Sequence, residues 1–243
     1  MPKVKIESGS VFERYENKYL LDPRQYQRLP ELLGEHMEQD QYGLHTICTL
    51  YYDTDDYAII RRCLEKPKFR QKLRLRSYGV PAPNSVVYLE LKKKMNGITY
   101  KRRVPLPLSE AQDYFLNGGV PADEEGQIFR EIDWYVKQMP LKAKVLICYD
   151  RVALFGLDDP DLRVTIDANV RWREDHLALD KGDQGRPLFR PAAYLMEIKT
   201  LHALPVWLVQ GLSKEKIYPV PFSKYGTIYQ EYLEAKGEIQ YAV

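Results

Sequence analysis

Cysteine is scarce in this chain: Cys48, Cys63 and Cys148 are the only three, with no Cys-x-x-Cys spacing. That excludes a disulfide framework and fits a reducing, cytoplasmic compartment. Histidine is as sparse, and His36, His45, His176 and His202 are too scattered for a histidine zinc site. No apolar run approaches the roughly eighteen residues of a membrane span, and the first sixteen residues lack the apolar core of a signal peptide. Charge of one sign is missing too. Thirty-six Lys and Arg against thirty-four Asp and Glu leave +2, so net charge predicts no affinity for nucleic acid or membranes. No Gly-x4-Gly-Lys-Ser/Thr loop occurs, which excludes P-loop chemistry. Repeats, low-complexity tracts and Ser/Gly linkers are also absent, so a single domain over residues 1–243 is expected.

The chain does contain 19 tyrosines against 7 phenylalanines, aromatic surface that mostly carries a hydroxyl. Val11 to Leu21 reads as a strand. Asp22-Pro23 then caps a helix to about Met37, with Pro30 expected to kink or break it. His45–Asp53, Phe69–Tyr78, Ser85–Met95, Ile98–Leu106, Leu141–Phe155, Leu162–Arg173 and Ala193–Thr200 read as further strands. Asn96-Gly97 is the residue pair of a type I′ hairpin turn. Helices are expected over Thr54–Glu65, Glu110–Asn117, Glu124–Gln138, Pro205–Lys216 and Ser223–Lys236. This is an α+β pattern closing on an antiparallel β-barrel with helices outside.

Every second residue of the strands tells a common story, because strand side chains alternate between faces. One face collects Arg14, Glu16 and Lys18; Arg70, Lys72, Arg74 and Arg76; and Glu90, Lys92, Lys94, Thr99, Lys101 and Arg103. Tyr149, Arg151, Arg163, Thr165, Asp167, Glu197 and Lys199 continue it. The residues between them are mostly apolar. For a single strand this alternation describes an ordinary half-exposed sheet. For the whole set, helices with apolar faces take the apolar side, which leaves the charged face inside a curved sheet.

The hairpin sharpens this reading. Its register sets Lys92 opposite Lys101 and Glu90 opposite Arg103. Facing like charges destabilise a sheet, so an anion bridging the lysines is expected, with Glu90 holding Arg103. About ten cations converging in one lumen suit a chain of phosphates. Glu16, Glu90, Asp167 and Glu197 could include ligands for a hard divalent ion held jointly with phosphate oxygens. Each could instead be a salt-bridge partner, the favoured reading for Glu90.

These residues resemble the triphosphate tunnel metalloenzymes (CYTH-like), and within them the VTC, or polyphosphate polymerase, domain. The resemblance runs from Phe12 to about Tyr232. It is carried in order by Arg14-Tyr15-Glu16-Asn17-Lys18-Tyr19, Leu50-Tyr51-Tyr52-Asp53-Thr54, Lys72-Leu73-Arg74-Leu75-Arg76, Leu89-Glu90-Leu91-Lys92 and Tyr100-Lys101-Arg102-Arg103. Tyr149-Asp150-Arg151, Arg163-Val164-Thr165-Ile166-Asp167, Met196-Glu197-Ile198-Lys199 and Phe222-Ser223-Lys224-Tyr225 complete it. It implies an eight-stranded antiparallel tunnel that binds triphosphate or polyphosphate with Mn²⁺ or Mg²⁺. Lys18, Arg74, Arg76, Lys92, Arg151 and Lys224 would be the catalytic phosphate clamps. Lys101, Arg103, Tyr149, Arg163, Lys199 and Ser223 would bind substrate, and Glu197 with Glu16 would hold the metal. Two positions depart from the pattern. Arg14 replaces the first glutamate of a Glu-x-Glu-x-Lys motif, as in the VTC branch, and Pro221 replaces a basic residue.

The implied activity is transfer of a nucleoside triphosphate's γ-phosphate onto a growing polyphosphate chain. A tripolyphosphatase or nucleoside triphosphatase on the same scaffold is the alternative. The third reading is a non-catalytic polyphosphate or nucleic-acid binder; the near-zero net charge speaks against nucleic acid. Asp53 reads as a helix cap rather than a metal ligand, Trp134 and Trp207 as core packing, and Cys148 as an inert buried thiol. Asp180–Arg190 reads as a surface loop or a mobile lip.

Overall fold

The computed structural model describes residues 15–96, 98–121 and 126–234. Its order is β1 (Tyr15–Leu21), α1 (Pro23–Leu33), β2 (Met37–Gln39), β3 (His45–Asp53), α2 (Ala58–Leu64), β4 (Phe69–Tyr78), β5 (Val86–Met95) and β6 (Ile98–Pro107). It continues with α3 (Leu108–Asn117), α4 (Gln127–Lys137), β7 (Lys142–Gly156), β8 (Arg163–Arg173), β9 (Arg186–Pro187), β10 (Tyr194–Thr200), α5 (Val206–Lys214) and α6 (Lys224–Ile228), then a π-helical turn at Tyr229–Leu233.

Eight strands pair antiparallel in the order β1-β10-β8-β7-β3-β4-β5-β6, and the short β2 and β9 attach to β7 and β8. Among the described residues no ladder joins β1 to β6, so hydrogen bonds do not close the barrel. The sheet nevertheless curls. Lys92 on β5 lies within electrostatic reach of Glu16 and Lys18 on β1 and Glu197 on β10.

Local chemistry explains the elements. At α1, Asp22 accepts the backbone N–H of Gln25 at 2.8 Å, and the Gln25 amide oxygen accepts the Asp22 N–H at 3.0 Å. This is a capping box, with Pro23 opening the helix. Pro30 does not break α1 as expected: the helix continues to Leu33, and Gly34 N–H closes onto Pro30 O at 3.0 Å. The hairpin pairs Met95 with Ile98, as its turn residues require, and Asn96 has the positive φ of 48° that a type I′ turn needs. Gly97 lies outside the described residues, as do Val11–Arg14 of the first predicted strand, residues 124–125 of a predicted helix and residues 235–236 of the last one.

Helices cover the apolar face of the sheet. Leu29, Leu33, Leu208 and Leu212 of α1 and α5 pack with Tyr19, Leu21, Val164, Met196 and Ile198. The larger core joins Leu73, Leu75, Leu89, Leu91, Leu50 and Cys48 to Ile60, Leu108, Phe129, Ile132, Tyr225 and Ile228. Trp207 packs partly buried at the edge of the smaller cluster. Trp134 corrects the sequence reading: it is 64% exposed. The buried stripe of α4 runs through Phe129, Ile132 and Tyr135, and Trp134 falls off it. No helix among the described residues is long and apolar enough to cross a membrane.

Candidate active site: a charged tunnel

The alternating cations converge on the concave face of the sheet, organised around buried carboxylates. Glu90, on β5 between β4 and β6, has no exposed surface. It accepts from Arg74 Nε and Arg103 Nε, each at 2.7 Å, and from Lys101 Nζ at 2.8 Å, with Arg76 Nη1 at 3.8 Å. Burial pushes its carboxyl up, yet Arg74, Arg76 and Lys101 together hold it well below the usual carboxylate range.

The predicted register is borne out, with Lys92 opposite Lys101 and Glu90 opposite Arg103. Lys101 turns to Glu90, a buried carboxylate two register pairs along the ladder on the same face.

A second knot lies on β7 and β8. Arg151 grips Asp167 through two of its three guanidinium nitrogens, Nε to Oδ1 at 2.5 Å and Nη2 to Oδ2 at 2.8 Å. Lys224, at the start of α6, donates to the same Oδ2 at 2.5 Å. Lys224 also sits 4.1 Å from the Tyr149 ring centroid, and Arg151 lies 5.1 Å from it. Burial raises the Asp167 carboxyl, but Lys224 and Arg151 bring it below its ordinary value.

The third group spans β1 and β10. The ladder sets Glu16 opposite Lys199 and Lys18 opposite Glu197, so the charges alternate. Lys199 lies 3.1 Å from Glu197, and Lys18 lies 3.7 Å from Glu16. The Glu16 and Glu197 carboxyl groups lie close together. Burial raises Glu197, while Lys199, Lys18 and Arg151 hold it well below the carboxylate range. Beside it on β8, Thr165 Oγ1 is buried without a hydrogen-bond partner among the described residues.

The segment Phe222–Tyr225 ties these groups together. Lys18 Nζ donates to Phe222 O at 3.1 Å, and Lys72 Nζ to Ser223 Oγ at 3.2 Å. Ser223 also caps α6 by accepting Gly226 N–H at 3.2 Å, which leaves its own O–H to donate. The Tyr149 hydroxyl accepts from Arg76 Nη2 at 3.4 Å, and its proton is likewise available.

Lys92 and Arg163 form no ion pair with any described residue. Burial lowers the Lys92 ammonium below its ordinary pKa. Two tunnel residues escaped the sequence-derived site, Lys72 and Tyr51. Lys72 shares the strand parity of Arg74 and Arg76, a signal sufficient to have found it. Tyr51 pairs across the ladder with Arg74, whose Nη1 donates to its hydroxyl at 3.4 Å; only the β3–β4 register reveals it. Arg14 lies outside the described residues.

Asp53 serves α2 as a cap, but from outside the N-cap position: the helix starts at Ala58, with Tyr57 as its N-cap, rather than near Thr54 as expected. The Asp53 carboxylate accepts N–H groups of Thr54, Ile59 and Ile60 at 2.8–3.0 Å and the Tyr225 hydroxyl at 2.9 Å. Cys148 is buried directly opposite Cys48, and its interaction with Cys48 together with burial pushes its thiol up.

A family model for the VTC domain matches residues 13–232, and the chain belongs to the VTC domain family. Comparison with curated protein sequences finds no match. Among solved structures the fold is similar to that of a suggested adenylate cyclase from Bacillus halodurans: TM-score 0.54, 15% identity, 89% of this chain and 96% of that one covered. A suggested adenylate cyclase from Vibrio parahaemolyticus has a TM-score of 0.49 at 12% identity, covering 90% of this chain and 99% of that one. A suggested adenylyl cyclase from Hippeastrum, described as having a dominant triphosphatase activity, has a TM-score of 0.49 at 15% identity, covering 88% and 94%. Family and fold agree: the chain is a VTC domain with the fold of the Bacillus halodurans protein.

Proposed function

We propose that the chain works as one domain and is a metal-dependent phosphotransferase. It would move the γ-phosphate of a nucleoside triphosphate onto inorganic phosphate or the end of a polyphosphate chain. The observation that carries this reading is the convergence of Lys18, Lys72, Arg74, Arg76, Lys92 and Arg151 on one concave face beside the paired carboxylates Glu16 and Glu197. The reading keeps the chain in the cytoplasm, where nucleoside triphosphates are supplied.

Phosphoryl transfer asks little covalent chemistry of a protein; positioning and charge neutralisation carry it. Arg74, Arg76 and Arg151 offer fork-shaped donors to the phosphate oxygens, and Lys18, Lys72 and Lys92 supply point charge. Tyr149 and Ser223 can donate hydroxyl protons to the same chain. A terminal phosphate oxygen of the acceptor attacks the γ-phosphorus in line as the bond to the β,γ-bridging oxygen breaks. The acceptor gains one phosphate and a nucleoside diphosphate leaves. No general base is needed, because the attacking oxygen is anionic at neutral pH.

The donor set suits a hard cation such as Mn²⁺ or Mg²⁺. Glu197 and Glu16 present adjacent oxygens, but no group of three or more acidic, His or Cys ligands forms among the described residues. Phosphate oxygens would therefore complete the coordination. Such an ion supplies charge neutralisation at the transferring phosphoryl group.

Product sizing after incubation with ATP and Mn²⁺ tests the reading. Long-chain polymer is the expected product. Free phosphate alone would make the protein a triphosphatase on the same scaffold, and binding with no turnover would make it a polyphosphate-binding protein.

A further inference from the structure

One end of the tunnel carries an aromatic cluster that phosphate chemistry does not use. His45 opens β3, Tyr78 closes β4 and Tyr88 lies near the start of β5, so antiparallel pairing gathers them at one end of the sheet. Tyr78 and Tyr88 share the strand parity of Arg74, Arg76 and Glu90, which places them on the tunnel side. Their rings meet edge to face, with centroids 5.8 Å apart. His45 lies 6.0 Å from Tyr78, and Tyr42, in the preceding turn, extends the series 6.4 Å from His45.

Arg103 joins this rim to the phosphate-binding wall. Its Nε is held by Glu90, its Nη2 donates to the Tyr78 hydroxyl at 3.1 Å, and its guanidinium covers the Tyr88 ring at 4.1 Å. Tyr78 and Tyr42 remain 52% and 70% exposed. Scattered exposed aromatics need no explanation. Four rings in a connected series, pinned to the rim of a cationic tunnel by an arginine, form a stacking platform.

We infer that this rim, with Tyr78 and Tyr42 as its open faces, stacks the nucleobase of the nucleoside triphosphate whose phosphates enter the tunnel. The inference rests on the triphosphate-tunnel reading above. Because the Tyr78 hydroxyl is already engaged by Arg103, the rim reads a base by its π-face. It therefore favours purines over pyrimidines by stacking area and discriminates little between adenine and guanine.

Calorimetric titration of the full chain with ATP and, separately, with inorganic tripolyphosphate tests this. Tyr42→Ser/Tyr78→Leu should weaken ATP about tenfold, the scale of one lost base stack, and leave tripolyphosphate binding unchanged. Tyr78→Phe keeps the ring and should keep ATP affinity. Both changed tyrosines are exposed, and circular dichroism checks the fold. An unchanged ATP affinity in the double variant, or an equal loss for both ligands, overturns the base platform while leaving the tunnel reading intact. If the unaltered protein binds neither ligand, the tunnel reading falls and the platform with it.

Discussion

Arg74 and Glu90 face each other across β4 and β5, with Arg74 Nε 2.7 Å from a carboxylate that has no exposed surface. The pair is the keystone of the tunnel wall. Glu90 also holds Arg103 and Lys101, so one negative charge fixes three cations. The wall is thereby preorganised: the cations are in place before a phosphate chain arrives, and their mutual repulsion is offset only in part.

Glu90→Gln therefore leaves several half-buried cations without their counter-charge. Breaking such a buried network costs about 3–5 kcal/mol, and thermal unfolding should show a correspondingly lower Tm. Tripolyphosphate should recover much of the loss, because a ligand at a hundred times its Kd adds about 2.7 kcal/mol to stability. No recovery would mean that the freed cations do not face the ligand.

Acid should unfold the protein by a defined route. Glu90, Asp167 and Glu197 are all held below their ordinary pKa values in the fold. Their contribution to stability is then complete above the unfolded carboxylate pKa of about 4 and is lost as pH falls through that value toward the folded ones. A plot of Tm against pH should be flat from neutrality to about pH 5 and steep below about pH 4.

Alkali acts on binding instead. Burial lowers Lys101 to about 8, with Glu90 opposing the shift. Burial raises the Tyr51 phenol, but Arg74, Arg76 and Lys72 bring it down to about 8. Each deprotonation lowers the charge of the tunnel by one unit: Lys101 loses its positive charge and Tyr51 gains a negative one. Tripolyphosphate affinity should fall between about pH 7 and pH 9, and Tyr51→Phe should make that fall shallower. Tyrosinate absorbance appearing only above about pH 10, the ordinary phenol range, would remove Tyr51 from the account.

Glu197→Gln keeps size and removes charge. If Glu197 holds the metal, the variant should lose metal-dependent turnover while folding normally and binding tripolyphosphate at least as well, since a negative charge has left the lumen. If Glu197 only neutralises Lys199, turnover falls modestly and the metal requirement persists. Near-normal Mn²⁺-dependent activity in the variant would falsify the metal role.

Asp53→Ala strands the N–H groups of Ile59 and Ile60 and the Tyr225 hydroxyl in a buried site. A cost of about 2–4 kcal/mol in urea unfolding is expected, and about 1 kcal/mol for Tyr225→Phe. The metal dependence of turnover should not move in either variant. A changed metal requirement would show that Asp53 is more than a cap.

The two-residue alternation of Arg70, Lys72, Arg74 and Arg76 was legible because strand geometry imposes it whatever the strand packs against. The hairpin register was legible because Asn96-Gly97 admits one turn type. Those two local rules were enough to collect the cations on one face and to set Glu90 opposite Arg103. The sequence alone did not decide which counter-charge each cation takes. Lys18 reaches a carbonyl 204 residues away at Phe222, and Lys224 reaches Asp167 across 57 residues. Such contacts depend on how far the sheet curls and where α6 docks, both set by the summed packing of the two apolar cores. The same holds for the adjacency of Glu16 and Glu197 and for the aromatic rim, where side chains from separate strands and a turn meet only once the curvature is fixed. Periodicity determined which residues face the tunnel; tertiary packing decided which of them touch.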